Sequence, residues 1–202
     1  MAKYFLFNKP WGVVTARRDD RFPTVLDFFP PELRDILHPV GRLDKETEGL
    51  LLLTDDGMLD KYLLRPEHHI EKQYFFWAFG TPKTEDLEKA SCGIQLPGSN
   101  HITLPTQIVT TEQKVLADIS DSIPPPYKEK VMKNPTVPVF SGMITLTEGK
   151  RHQVRRMLKS VGHAIIYLKR VSIGNLTLEH GPQRGKYRPL TENDLKVLGY
   201  HK

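Results

Sequence analysis

The chain has 202 residues, of which 29 are Lys or Arg, 24 are Asp or Glu, and one, Cys92, is a cysteine. A chain of that length can bury about 70% of its unfolded surface in one large domain or two small lobes, so no disulfide is needed. The single thiol cannot form an internal disulfide and no long apolar segment begins the chain. These features predict a cytoplasmic protein with no membrane association. The small excess of positive charge permits a polyanionic partner without requiring one.

The N-terminal part of the chain reads as short strands and helices. An aromatic run over residues 3–7 predicts a strand that ends at the loop sequence Asn8-Lys9-Pro10-Trp11-Gly12. Thr24 is a suitable N-cap for a short helix over residues 25–29, which the following prolines end. A second short helix is predicted over residues 32–37.

A short apolar run, Leu50 to Leu53, predicts a strand covered on both faces, because it is too short for a helix and is closed by an Asp-Asp-Gly turn. The Gly-bounded loop before it carries Asp44, which rigid structure on one side would hold in place. Asp44 is therefore the first candidate for a reactive carboxylate. A structural alternative is a loop Asp that accepts backbone hydrogen bonds and pairs with Arg42 or Lys45.

A calcium loop is a further alternative for the same segment. Counted from Asp44, positions three, five, six and twelve of an EF-hand fall on Glu46, Glu48, Gly49 and Asp55. That template needs a helix on each side, and Pro39 and Gly41 disfavour a regular entering helix. The adjacent His68 and His69 have no spaced Cys or acidic partners, which predicts a surface turn and no metal site.

The middle of the chain predicts a strand over residues 71–79, a helix over 84–90, and strands over 107–109, 115–119 and 143–147. Between residues 121 and 138 the composition changes. Five prolines stand there among lysines, which predicts a loop or insertion.

A basic helix is predicted after Glu148-Gly149, because Val154, Met157, Leu158 and Val161 recur at helical spacing before Gly162. Arg155 falls on the border of the apolar stripe, whereas His152, Arg156 and Lys159 fall on the polar side. Residues 149–178 hold seven Lys or Arg residues and no Asp or Glu. This segment is a candidate phosphate-binding surface, and the alternative is an ordinary solvated helix face.

Two motifs together resemble the RsuA-type pseudouridine synthases. They are Gly41-Arg42-Leu43-Asp44 and the run from Glu148 to Met157, and the resemblance continues in Lys72-Gln73-Tyr74 and Tyr187-Arg188-Pro189-Leu190-Thr191. It implies an α+β fold, with a mixed, mainly antiparallel sheet flanked by helices and a central active-site cleft. It also implies one catalytic domain over residues 1–202, with two lobes around that cleft.

The same resemblance implies roles for particular residues. Asp44 would be the catalytic carboxylate, Arg155 its ion-pair partner, and Tyr74 the residue that packs against the target base. The residues expected to contact RNA are Lys9, Arg42, Lys150, Arg151, His152, Arg156, Lys159 and Arg170. The expected activity is isomerisation of one flipped uridine in ribosomal RNA by a monomer, without cofactor or metal.

The run Leu50 to Gly57 and the pair Glu48-Gly49 favour the RsuA branch over the RluA branch. No RNA-binding module precedes Asn8, so the architecture is expected to be closest to RluE. The alternative function is a non-catalytic RNA-binding or ribosome-assembly protein, which would explain the charge equally well. It would not explain why an Asp and an Arg occur in two matching motifs.

Overall fold

The computed structural model describes residues 2–201, which form two compact units. The first, unit 1, contains the residues up to Lys72 and those from Lys169 onward; the second, unit 2, is Gln73–Leu168. The strands are β1 (Tyr4–Lys9), β2 (His38–Val40), β3 (Glu48–Thr54), β4 (Lys72–Phe79), β5 (Gln107–Val115), β6 (Pro138–Leu146), β7 (Ile165–Ile173), β8 (Leu176–Thr177) and β9 (Tyr187–Pro189). The helices are α1 (Pro31–Arg34), α2 (Gly57–Leu64), α3 (Thr84–Ser91), α4 (Pro125–Lys133), α5 (Gln153–Ser160) and α6 (Glu192–Val197).

Unit 1 is built around β3, whose residues are all buried. Strand β3 pairs antiparallel with β1 and β2, and parallel with β7 through Glu48↔Lys169 and Gly49↔Arg170. Strand β9 pairs with the other edge of β1. Leu50 and Leu52 point into a core that includes Leu59 and Leu63 of α2. The prediction of a strand covered on both faces is confirmed.

Unit 2 has the strand order β5, β6, β4 and β7. Helix α5 lays Val154, Met157 and Leu158 on this sheet, in one apolar cluster with Phe76 and Ile144. A second apolar cluster contains Trp77, and side chains of α4 pack against it. Since the strand pairings are mainly antiparallel and helices pack on the sheet, the expected α+β class is confirmed.

Two local predictions are wrong. Residues 121–138 contain helix α4, because Pro124 is its N-cap and Pro125 and Pro126 occupy the first turn, where proline has no hydrogen bond to lose. The predicted strand over residues 115–119 is a 3₁₀ helix, Leu116–Ser122. The carboxylate of Asp118 accepts a hydrogen bond from the Val115 amide at 3.3 Å, which favours this turn.

Other predictions hold. The helix predicted after Thr24 is a 3₁₀ helix, Val25–Phe28, and the Thr24 amide donates to the Asp27 carboxylate at 2.7 Å. The basic helix is α5, and Gly162 beyond its end has φ +89°. Within residues 2–201, no helix has the length and apolar composition needed to cross a membrane.

Candidate active site

Asp44 lies half-buried in the loop between β2 and β3 of unit 1. The loop closes on itself, because the Thr47 amide donates to the Asp44 carbonyl at 3.0 Å. It leads into β3, whose second residue, Gly49, has a φ of +104° that favours glycine. A Cβ at Gly49 would lie 2.1 Å from the Arg170 carbonyl oxygen, so the close pairing of β3 with β7 also requires glycine there.

The residue immediately before Asp44 is held by one buried hydroxyl. The Oγ1 of Thr15 donates to the Leu43 carbonyl at 2.7 Å and accepts from the Leu43 amide at 3.1 Å. Both residues are buried. Both backbone groups of Leu43 are therefore satisfied by one side chain, and the backbone entering Asp44 has a fixed position.

The residues after Asp44 are held by Lys9, the last residue of β1. Its Nζ donates to the carbonyls of Thr47 at 2.8 Å, Pro10 at 3.1 Å and Lys45 at 3.4 Å. The Gly12 amide also donates to the Lys45 carbonyl, at 2.9 Å. Lys9 is fully buried, so the prediction that it contacts RNA is wrong. The converging carbonyls satisfy its amine inside the protein.

Burial lowers the pKa of the Lys9 amine to about 7, although the charges of Glu48 and Asp44 oppose the fall. Arg170 adds to the fall through like-charge repulsion. The pKa of Lys72 is also lowered, to about 8, by burial and by Arg170. The charge of Arg170 therefore acts on the amines of both Lys9 and Lys72.

Glu48 supplies negative charge in this region. Its buried carboxylate accepts from the Trp11 amide at 3.2 Å and lies 3.3 Å from Nε of the exposed Arg184. Because residues Glu48–Thr54 form β3, most of this segment is extended and cannot wind around an ion as an EF-hand loop does. Among residues 2–201, no group of His, Cys, Asp and Glu side chains could hold a metal ion.

Arg170 is also buried, and its Nε donates to the Leu50 carbonyl at 2.8 Å. The prediction that it contacts RNA is wrong as well, because Arg170 is only 3% exposed. Arg42, by contrast, is exposed next to Asp44, where a phosphate can reach it.

In unit 2, Tyr74 lies on β4, half-buried against the apolar cluster that contains Met157. Arg155 is half-buried on α5, at the border position that the sequence predicts, and its Nη1 donates to the Ile165 carbonyl at 3.3 Å. Neither side chain is enclosed, which leaves part of each accessible to another molecule.

At α5 and in the turn before it, the exposed side chains predicted to contact RNA are Lys150, Arg151, His152 and Lys159. His152 is the N-cap of α5 with a left-handed φ of +53°. Arg156 is half-buried, and it donates to the Arg151 carbonyl at 3.5 Å and to the Pro97 carbonyl. Its guanidinium therefore bonds two backbone carbonyls, and its contact with RNA phosphate stays a prediction.

A sequence profile of the RNA pseudouridylate synthases matches residues 3–160, which include Asp44, Tyr74 and Arg155. The chain belongs to the RNA pseudouridylate synthase family. It is an enzyme that isomerises uridine to pseudouridine, as the two motifs predict.

Individual relatives agree with this assignment. An uncharacterised RNA pseudouridine synthase of Bacillus subtilis is 37% identical over 200 residues, which are 96% of this chain and 72% of the relative. The ribosomal small subunit pseudouridine synthase A of Haemophilus influenzae is 34% identical over 197 residues, which are 97% and 73% of the two chains. The predicted RsuA type is therefore confirmed.

A solved pseudouridylate synthase crystal structure superimposes with a TM-score of 0.78 at 32% identity, covering 98% of this chain and 74% of the other. The human RNA pseudouridylate synthase domain-containing protein 1 superimposes with a TM-score of 0.58 at 16% identity, covering 93% and 78%. The second likeness shows that the fold persists where few residues are identical.

Several residues of this synthase escaped the sequence analysis. Thr15 and the Glu48–Arg184 pair support the Asp44 loop, yet Thr15 is 28 positions away from the backbone that it holds. No local pattern marks such a residue. The segment around Pro97 carried a turn signal, Pro97-Gly98-Ser99-Asn100, that could have been recognised.

Proposed function

We propose that this synthase modifies a uridine of ribosomal RNA and that Asp44 is its reacting carboxylate. The observation that carries the proposal is the double anchoring of the loop, by the Thr15 hydroxyl before Asp44 and by the Lys9 amine after it. A reacting group needs a fixed position more than a solvated surface group does. The choice of ribosomal RNA rests on relatives named for the ribosomal small subunit.

The isomerisation of uridine requires one reactive carboxylate. Uridine and pseudouridine contain the same atoms, and the base is joined to the sugar through N1 in the first and through C5 in the second. The base must therefore be detached, turned and rejoined within one site. Asp44 acts either as a nucleophile that forms a covalent intermediate or as a base that removes a sugar proton. Both routes require the ionised carboxylate.

The target base leaves its stack before it reacts, because its glycosidic bond is inaccessible inside an RNA helix. We assign to Tyr74 the packing of this base, as the resemblance to the family implies. Arg155 is assigned the ion pair with Asp44 on the same ground. A guanidinium fork fixes the direction of a carboxylate and favours its ionised form.

The RNA backbone is held by charge. We assign phosphate contacts to exposed side chains beside the two motifs, which are Arg42 in unit 1 and Lys150, Arg151, His152 and Lys159 in unit 2. Each neutralised phosphate releases counterions, so binding weakens as the salt concentration rises.

The test is the substitution Asp44→Asn, because an amide keeps the size of the side chain but is neither a nucleophile nor a base. Small-subunit ribosomal RNA transcripts are incubated with each enzyme, and pseudouridines are mapped by carbodiimide-dependent stops of reverse transcription. We expect the variant to bind RNA normally and to form no pseudouridine above background.

Glu46→Gln is the matched control, since Glu46 is an exposed carboxylate in the same loop. It should keep most of the activity. Turnover by Asp44→Asn at the wild-type rate would reject Asp44 as the catalytic group. Absence of any stop with the wild-type enzyme on every ribosomal transcript would reject ribosomal RNA as the substrate.

A further inference from the structure

Residues 93–104 of unit 2 form a β-hairpin to which the function described so far assigns no role. Ile102 and Gln95 are paired across it in antiparallel fashion. The Leu96 amide donates to the His101 carbonyl at 3.1 Å, and the Thr103 amide donates to the Ile94 carbonyl at 3.0 Å. We call this element the 93–104 hairpin.

The hairpin is rigid at its base. Leu96 is buried in the apolar cluster that holds Val154 and Met157 of α5. Gly93 has φ +103°, and a Cβ there would lie 2.6 Å from the Thr103 carbonyl oxygen. The two arms can therefore approach closely only because residue 93 is glycine, and the inward side chains fix the hairpin to the helix.

The hairpin is also bonded to the start of the basic motif. The carboxylate of Glu148 accepts from the Leu104 amide at 2.8 Å and from Gln153 Nε2 at 2.7 Å. Nε2 of His101 lies 3.0 Å from the same carboxylate. At the other end of the hairpin, the Arg156 guanidinium donates to the Pro97 carbonyl. Both ends are thus held against the segment that carries the exposed Lys150 and Arg151.

The outer face of the hairpin is apolar. The side chain of Ile102 is 64% exposed and that of Leu104 is 44% exposed, although nothing in the interior requires large apolar groups at these positions. Gln95 is exposed and lies directly opposite Ile102, so the two side chains share that face.

Negative charge is missing from this region of the chain. Residues 91–111 contain no Asp or Glu, and residues 149–178 contain none either. The carboxylate beside the hairpin, Glu148, is only 11% exposed and is occupied by hydrogen bonds. Other acidic side chains are on helix α3, which packs against α5 and carries Glu85, Asp86 and Glu88. A hairpin face that joins apolar side chains to neighbouring cations is complementary to an unstacked nucleotide, which has an apolar base face and an anionic phosphate.

We propose that the 93–104 hairpin is an RNA-contact element, in which Ile102 packs against an unstacked base while Lys150 and Arg151 bind the adjoining phosphates. The inference rests on the proposed function and adds a contact outside the Asp44 loop. The hairpin selects an unpaired RNA segment beside the target, because a base inside a helix presents no face to Ile102. Glu148 and Arg156 position the hairpin through their hydrogen bonds to its two ends.

The test adds one negative charge at either of two places on this face, through Ile102→Glu and Gln95→Glu. The second variant is nearly isosteric. Met132→Glu on α4 is the control, because Met132 is 86% exposed and lies on another part of unit 2. We measure KM and kcat for a ribosomal RNA fragment at fixed salt. We expect KM to rise about tenfold for Ile102→Glu and about threefold for Gln95→Glu, from lost base contact and repulsion of phosphate.

The control should keep the KM of the wild-type enzyme, and kcat at saturating RNA should stay within about twofold in all three variants if the hairpin only binds. Unchanged KM in both hairpin variants would overturn the inference and leave the proposed function intact, since the wild-type enzyme would still form pseudouridine. Equal weakening by Met132→Glu would show a nonspecific charge effect and would also overturn it. A wild-type enzyme that neither binds nor modifies RNA would instead reject the proposed function.

Discussion

The Asp44 loop and the surface around α5 are built in opposite ways. The Asp44 loop is held by buried side chains, Lys9 and Thr15, which bond its backbone. The α5 surface has a buried apolar stripe that fixes the helix and exposed cations that remain available to solvent. The backbone of the Asp44 loop therefore has a fixed position, whereas the surface around α5 carries several separate positive charges.

This difference determines how each region should respond to substitution. A loop that depends on single buried contacts loses its geometry when one donor is removed, because the acceptors stay buried without a partner. A surface that binds phosphates with several cations loses only a share of its affinity with each cation. Substitutions of similar size should therefore have unequal effects in the two regions.

The largest effect is expected for Gly49→Ala, at the second residue of β3, just after the Asp44 loop. The added Cβ would lie 2.1 Å from the Arg170 carbonyl oxygen, and alanine disfavours the φ of +104°. Together the overlap and the strain should lower the free energy of unfolding by about 3–5 kcal/mol. Urea denaturation measures this loss.

Gly57→Ala is the matched control, because Gly57 begins helix α2 and a Cβ there meets nothing within 4 Å. This variant should be as stable as the wild-type protein or slightly more stable. Equal free energies of unfolding in both variants would mean that β3 can move away from β7 without loss of stability. The geometry next to the Asp44 loop would then not be fixed as we propose.

Lys9→Met should come next. Methionine fills the space but leaves the Thr47 and Pro10 carbonyls without their donor, so unfolding at pH 7 should become easier by about 1–3 kcal/mol. The exposed Lys186 offers a control, since Lys186→Met removes a charge from the surface only. Turnover should fall with stability in the first variant and stay constant in the second.

The pKa of Lys9 adds a pH signature. The amine has a pKa of about 7 in the folded protein and about 10.5 in the unfolded chain. Between these values the unfolded chain binds more protons, so this group makes the folded protein more stable as the pH rises. The stability gap between wild type and Lys9→Met should widen from pH 7 to pH 10. A constant gap would show that the amine keeps its ordinary pKa.

The smallest effects are expected for substitutions of two basic residues of α5, Arg155 and Lys159, and the two substitutions should change different kinetic quantities. Arg155→Lys replaces a guanidinium fork with a point charge, and we expect kcat to fall about tenfold or more with little change in RNA affinity. Lys159→Ala removes one exposed charge, and we expect only a few-fold weaker binding with a shallower salt dependence. Steady-state kinetics at two salt concentrations distinguish them. Matching losses of affinity would make Arg155 an ordinary phosphate contact.

Local sequence patterns predict much of this fold. The continuous apolar run of β3 and the periodic apolar stripe of α5 both predicted the observed element, because each pattern indicates which faces are buried. The Pro-rich segment misled the analysis for a physical reason. Its prolines occupy the first turn of α4, where their missing amides cost nothing, so proline content alone did not exclude a helix.

The site was predictable only in part. The position of Asp44 before a buried strand followed from neighbouring residues, but the side chains that fix its loop come from distant positions. The burial of Lys9 and Arg170 was missed for the same reason. A basic side chain is expected at the surface unless several carbonyls converge on it, and that convergence depends on tertiary structure.

The discontinuity of unit 1 has a consequence for synthesis on the ribosome. Unit 2 is one continuous segment of the chain. In unit 1, by contrast, β3 and Glu48 are synthesised long before their partners, β7 and Arg184. At common translation rates, roughly 6–24 s pass between the emergence of Thr54 and that of Ile173. While unit 2 is being made, the core around Leu50 and Leu52 therefore lacks Ile173 and Leu176, and slow synthesis of that middle segment would prolong the exposure of its apolar side chains to aggregation.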